Sequence, residues 1–278
     1  MFKRSQLTSK KFAKKRKKFF WINISLIIFV ILLFFTAIYY LLRLEKITIS
    51  DISVQGNSAI STLEIITIAN LELRGGYYYL FPKKNIFIFP NKKIEERIKD
   101  KWKRVDTVNI KRESLSAIKI TVSEKTAKFL WCGDVLSIDS EKNQCYFIDK
   151  TGYVFSSAPS FSPNVYIRFY GNIEASDPIG QEYLKVSDFE GLTSFIDGLL
   201  KADIKVSKLL SFNDGEYAFY LSSGPKILFN NRQDFRKTLG NLETLLNSDE
   251  YKDDVKKSAT PIDYIDVRFG NKVLYRFK

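Results

Sequence analysis

The sequence predicts an α+β protein: a single N-terminal transmembrane helix, a β-α-α-β-β domain, and a mostly antiparallel β domain with flanking helices. Three observations carry this expectation. Trp21 to Leu42 is a 22-residue run without a charge. The segment after it opens and closes on alternating strands but holds two stretches with helical spacing of apolar residues. Beyond residue 124, short strand-like runs recur between turn residues, interrupted by amphipathic stripes. The expected boundaries are a basic tail over 1–20, a span over 21–42, a first outer domain over 45–123 and a second over 124–278.

The span comes first. Only Asn23, Ser25 and Thr36 dilute its apolar character. A helix of this length covers about 33 Å, enough for a hydrocarbon core of about 30 Å. Residues 1–20 carry nine Lys and Arg and no Asp or Glu. Positive charge beside a span stays in the cytoplasm, so the expected topology is single-pass type II, with the C-terminal part outside. A cleaved signal peptide would have a shorter apolar region ending in small residues, whereas this one ends Ala37-Ile38-Tyr39-Tyr40-Leu41-Leu42. Trp21, Tyr39 and Tyr40 stand where interfacial aromatics belong. The tail supplies +9 of the net +13, leaving +4 for the remaining residues. A nucleic-acid reading of the basic pI therefore fails, and the tail's charge is expected to set topology and attract anionic lipid.

In the first outer segment, Ile47 to Val54 alternates as a strand and turns at Gly56-Asn57. Ser61-Thr62-Leu63-Glu64 reads as a capping box opening a short helix to about Ala69. A loop with Gly75, Gly76 and Pro82 holds the aromatics Tyr77, Tyr78, Tyr79, Phe81, Phe87 and Phe89, read mainly as core and loop packing and alternatively as a contact surface. Asn91 is the expected cap of a second helix with Ile94, Ile98 and Trp102 on one face. Val105 to Ile110 and Ala117 to Val122 form a β-pair turning near Ser114.

In the second segment, Lys128 to Trp131, Cys145 to Ile148 and Tyr153 to Phe155 read as strands, the last two joined by the turn Asp149-Lys150-Thr151-Gly152. Ser187-Asp188-Phe189-Glu190 reads as a capping box before a stripe of Leu192, Phe195, Ile196, Leu199 and Leu200. Strands follow at Lys208 to Phe212, Tyr217 to Leu221 and Lys226 to Phe229. A helix from about Arg232 to Leu246 presents Phe235, Leu239, Leu242, Leu245 and Leu246. The chain closes with Tyr264 to Phe269, a turn at Gly270-Asn271, and Val273 to Phe277.

The chemistry is mostly negative. There is no histidine, which excludes Ser-His-Asp and Cys-His catalysis and the usual zinc sites. Neither a P-loop nor G-x-G-x-x-G occurs. The 31 carboxylates are scattered, and no pattern marks a carboxylate-only hydrolase. No enzyme, cofactor, metal or small-molecule substrate is expected; the protein is expected to bind other proteins. Cys132 and Cys145 lie near the ends of a hairpin. They are either a disulfide closing a short loop or two small buried residues, and geometry decides between them.

Three stretches resemble the bacterial division family FtsQ, called DivIB in some bacteria. Ile52-Ser53-Val54-Gln55-Gly56-Asn57 resembles the opening of the family's POTRA domain. Cys145 to Phe155 resembles its "I-D-x-x-G-x-V-F" hairpin, and Tyr264 to Phe269 its closing "y-I-D-l-R-f" strand. The order of basic tail, span, POTRA domain and β domain is also similar, and only the longer stretch Asp134 to Gln144 departs from it. The resemblance implies a scaffold at the division septum of the plasma membrane. It would bind FtsB- or DivIC-like and FtsL-like partners and regulate septal peptidoglycan synthesis.

Strand chemistry agrees with that implication. A terminal strand in an open sheet presents unpaired N–H and C=O groups that an incoming strand can use. The expected partner surface is therefore Tyr264, Asp266, Arg268, Phe269, Val273 and Tyr275, with Phe269 and Tyr275 as outward aromatics and Asp266 and Arg268 open to a structural role. The competing view makes these strands a paired core hairpin. A POTRA-containing polypeptide-transport or assembly factor is the alternative function.

Overall fold

The structure is a computed structural model that describes residues 10–78, 80–136, 144–162, 165–212 and 215–278, with side chains from residue 15 onward. Residues 1–9 of the basic tail, Tyr79 and residues 137–143 of the Asp134 to Gln144 stretch lie outside the described residues. The chain forms two compact units, Met1–Lys99 with Thr107–Ser123, and Asp100–Asp106 with Glu124–Lys278.

The first unit begins with helix α1 (Lys10–Leu41), in which Lys15–Leu41 is long and apolar enough to cross a membrane. Its apolar side chains face outward, with none of that stretch buried in protein. A soluble helix would bury such a surface, so α1 suggests single-pass membrane anchoring. Next come β1 (Asp51–Gln55), α2 (Thr62–Glu72), a two-residue ribbon of β2 (Gly76–Tyr77) and β3 (Phe81–Pro82), α3 (Asn91–Lys101), β4 (Val105–Arg112) and β5 (Ala117–Glu124). β5 lies between β1 and β4 and runs parallel to β1. A parallel neighbour requires a crossover, and the two helices provide it. Ile118, Ile120 and Val122 alternate inward and are buried along with Ile65, Ile68 and Ala69 of α2 and Ile94 and Ile98 of α3.

The helix starts differ from the sequence reading. Ser61 makes no side-chain cap, and α2 runs on to Glu72. Instead, Asn57 Nδ2 donates to Ile60 O and Thr62 Oγ1, bracing the entry from outside the helix. Asn91 is already helical, and Pro90 O accepts the Ile94 N–H. Trp102 falls just beyond the end of α3.

The second unit is a nine-stranded sheet. Its strands are β6 (Phe129–Trp131), β7 (Tyr146–Ile148), β8 (Val154–Ser157), β9 (Arg168–Tyr170), β10 (Val206–Ser211), β11 (Glu216–Leu221), β12 (Lys226–Asn230), β13 (Ile262–Phe269) and β14 (Lys272–Phe277). The spatial order is β14-β13-β12-β11-β10-β9-β6-β7-β8, with five antiparallel and three parallel pairings. Two parallel steps are crossovers: β9 to β10 through α4 (Val186–Lys201), and β12 to β13 through α5 (Phe235–Asn247) and α6 (Asp249–Lys257). β10 and β12 point the same way because two antiparallel steps separate them, and both crossovers step in the same direction across the sheet. Right-handed connections then place α4 and α5 on one face. Phe195, Leu199 and Leu242 accordingly join Phe219, Phe229 and Ile265 in one core. The helices pack closely because Gly198 faces Leu239, where an added Cβ would stand 2.5 Å from that side chain.

Here too the sequence reading needs correction. Lys185, not Ser187, precedes α4 and makes no side-chain cap, and Leu200 is exposed rather than part of the stripe. β9 went unseen, although Phe169 and Tyr170 are fully buried at the centre of the sheet. α6 was also unforeseen; it is capped by Ser248, whose side chain accepts from Tyr251 N. Cys132 and Cys145 are joined in a disulfide 13 residues apart, bridging β6 and β7 just beyond their paired residues.

Candidate partner-binding edge

The two ends of the sheet are treated differently. At β8, the chain itself covers the start of the strand: Val154 N donates to Gln181 O, Gly180 N to Val154 O and, just before the strand, Tyr183 N to Gly152 O. At β14, no backbone partner other than the β13 hairpin occurs among the described residues. β13 is paired on both sides over Tyr264–Asp266, with β12 and β14, so that part of the strand is not itself an edge. The available backbone belongs to Lys272–Phe277.

The six residues expected at the partner surface divide by environment. Phe269 is outward, 55% exposed, just past a register shift in the ladder, where it pairs with Lys272. Val273 and Tyr275 face inward and pack on the core, so Tyr275 is not the outward aromatic the sequence suggested. Its hydroxyl donates to Asp254 Oδ2 of α6 at 2.6 Å, and its ring meets Tyr251 at 5.2 Å, edge to face. That bond to Asp254, with burial and the acidic surroundings of α6 adding to it, pushes the phenol up to about 12. The exposed apolar side chain of β14 is Leu274, 51% exposed, between Lys272 and Arg276.

Asp266 is 4% exposed. Its Oδ1 accepts from Arg268 N and Nε, and its Oδ2 from Arg268 Nη2 at 2.6 Å. Arg268 also reaches Glu216 on β11. These bonds to Asp266, against the cost of burial and with help from Glu216, hold the guanidinium even more firmly protonated than usual. The "D-x-R" of the closing strand is therefore a brace spanning the register shift. Gln233 Nε2 donates to Arg268 O, and Asn241 Nδ2 to Gly270 O, fixing the turn from α5. Sequence reading missed Glu216, Gln233, Asn241 and Asp254. Each lies far along the chain from the motif it supports, and no local pattern marks it.

The sheet face away from α4 and α5 carries a row that local reading also missed. Arg168, Lys208, Tyr220, Lys226, Tyr264 and Arg276 stand directly opposite one another across β9 to β14. Lys226 Nζ lies 5.9 Å from the Tyr264 ring. Outside β9, each residue's outward direction is legible from strand alternation, but their alignment depends on register.

The other motif is structural. Asp149 Oδ1 accepts from Thr151 N, Thr151 Oγ1 and Tyr153 N, while Oδ2 takes the Lys125 ammonium at 2.7 Å. Burial opposes its charge, but these bonds win and hold the carboxyl below its usual value. Gly152 (φ +92) lies against the Phe189 ring, where an added Cβ would come within 2.9 Å.

An apolar helix long enough to cross a membrane precedes, along the chain, a β-α-α-β-β module and a nine-stranded sheet with an open edge. Residues 47–125 match the family described as POTRA domain, FtsQ-type. No curated protein matches the chain.

Proposed function

We propose that the protein is a non-enzymatic, bitopic scaffold of the bacterial divisome. It binds FtsB- or DivIC-like and FtsL-like partners by strand addition along β14 and regulates septal peptidoglycan synthesis. The tail lies in the cytoplasm and both folded units lie outside, at the septum. The open backbone of Lys272–Phe277 carries this reading: among the described residues its outer side has no backbone partner, whereas the chain itself covers the start of β8. Phe269 and Leu274 supply exposed apolar anchors, and the neighbouring row of cations and tyrosines favours acidic side chains on the partner. Asp266, Arg268, Val273 and Tyr275 support the edge from within; Tyr264 lies in the row beside it.

The test is depletion in cells combined with localisation of a tagged copy. Recruitment to mid-cell, followed on depletion by filaments with unfinished septa, supports the scaffold. Normal septa with defective assembly of membrane proteins would replace it with the transport reading.

A further inference from the structure

The aromatic loop between α2 and α3 is not used by the reading above, and its placement is informative. Ile49 N donates to Lys84 O at 2.8 Å, and Ile86 N to Ile47 O at 3.0 Å. Asn85 is fully buried and donates from Nδ2 to Leu42 O at 2.9 Å, while its Oδ1 accepts from Phe87 N. Residues 84–87 are thus tied to the first residues after α1, whose last residue is Leu41. Phe87 is two residues from Asn85, hence within about 7 Å of it along the chain, and Pro82 is within about 10 Å.

What this loop exposes is unusual for a soluble surface. Phe87 and Leu80 are exposed, and Tyr78 at the ribbon's tip is 88% exposed. Tyr78 also has φ +49, a left-handed conformation that bulky residues rarely adopt. Cations accompany these side chains: Arg112 lies 5.6 Å from the Phe87 ring, and Lys83 lies 5.8 Å from the Tyr77 ring. Tyrosines, apolar side chains and long cations together are the set that favours the headgroup layer of a bilayer.

We infer that this loop is a second membrane contact. Tyr78, Leu80 and Phe87 rest in the headgroup layer of the leaflet from which α1 emerges, so the POTRA domain is seated on lipid rather than swinging on a tether. The inference rests on α1 being a membrane span. Continuity with α1 selects lipid over a protein as the occupant, because the loop is bonded to the helix exit itself.

Both cysteines are bridged, so an introduced cysteine is the single free thiol of the full-length chain. Tyr78→Cys, Leu80→Cys and Phe87→Cys proteins would each be labelled with nitrobenzoxadiazole. They would be reconstituted into phosphatidylethanolamine–phosphatidylglycerol vesicles with or without a nitroxide lipid of shallow depth. Emission is expected to fall at least twofold with the nitroxide at all three positions. It is expected to be unchanged at Leu63→Cys, an exposed residue in the first turn of α2, which opens beyond the end of β1 away from the tied residues. A Phe35→Cys label, tested with a deep nitroxide, reports on the span separately. Quenching at Phe35 without quenching at 78, 80 and 87 would overturn the inference and leave the anchor standing. No quenching at Phe35 would remove both. Equal quenching at Leu63 would also overturn it, because the contact would then not belong to this loop.

Discussion

The two ends of the nine-stranded sheet present the same backbone groups and meet opposite fates. β8 is covered at its first residue by residues 180–183, which bond Val154 from the far side and form a bridge from Tyr153 to Glu182 just before the strand. β14 ends the sheet with its outer side open, and its exposed side chains include Lys272 and Arg276. Charges on an edge discourage pairing with arbitrary strands while leaving the backbone usable by a complementary one. An edge closed from within the chain is a feature of stability, and an edge left open but guarded is a feature of recognition. The test of this distinction is whether damage at one end leaves the other unaffected.

The largest expected effect lies toward the closed end. The Cys132–Cys145 bridge encloses a 13-residue separation, and such loops contribute about 3 kcal/mol. Cys132→Ser with Cys145→Ser, or reduction, is expected to lower the melting temperature of the second unit by about 6–12 °C. Affinity for an FtsB- or DivIC-like and FtsL-like pair is expected to stay within twofold at a temperature where the unit remains folded. Calorimetry and binding on the same samples check this, and a parallel loss of both would mean that the two ends are coupled.

Next in size is a proline on the open edge. Proline lacks an N–H and breaks a ladder, so Leu274→Pro is expected to weaken partner binding about a hundredfold, about 2.8 kcal/mol. Ser156→Pro on β8 is expected to reduce stability without reducing binding. If instead the β8 proline abolishes binding in a folded protein, the partner surface lies at the wrong end of the sheet in our reading.

Smaller again is Phe269→Ala. The side chain is mostly exposed, so circular dichroism and cooperative melting are expected to be unchanged, while affinity falls about tenfold, about 1.4 kcal/mol. Unchanged affinity in the folded variant would remove Phe269 from the interface.

Why some of this was legible and some was not follows from the range of the interactions. α1, the alternation of β5 and the stripe Leu192–Phe195–Ile196–Leu199 arise from local periodicity, which a sequence displays directly. β9 has only three residues and owes its place to Phe169 and Tyr170 being buried between distant strands. α6 is mostly polar, Asp249 to Lys257 with only Tyr251 and Val255 apolar and no buried residue, so no broad apolar stripe announces it. At the edge, the sequence placed the right hairpin. It could not say that β13 is internal, that Asp266 and Arg268 bind each other, or that Tyr275 turns toward α6. Those facts depend on register and on partners up to 52 residues away.

The smallest effect concerns Tyr275 and separates a strut from a contact. Its hydroxyl donates to Asp254, so Tyr275→Phe is expected to cost about 1 kcal/mol near pH 8, a modest amount because the pair is only partly buried. The phenol titrates at about 12 in the folded chain against 10.0 for the free group. A raised value in an acid means that the folded state prefers the proton, so the contribution is complete below pH 10 and is lost as pH rises from 10 through 12. Tyr217, Tyr220 and Tyr251 are also shifted upward, so the wild-type curve alone does not isolate Tyr275. The difference between wild type and Tyr275→Phe does: it is expected to be largest near pH 8 and to vanish by about pH 12. Partner affinity is expected to change less than threefold, since the side chain faces α6. A tenfold loss of binding in a folded Tyr275→Phe protein would make the phenol part of the recognition surface and would extend the open edge from the backbone of β14 onto α6.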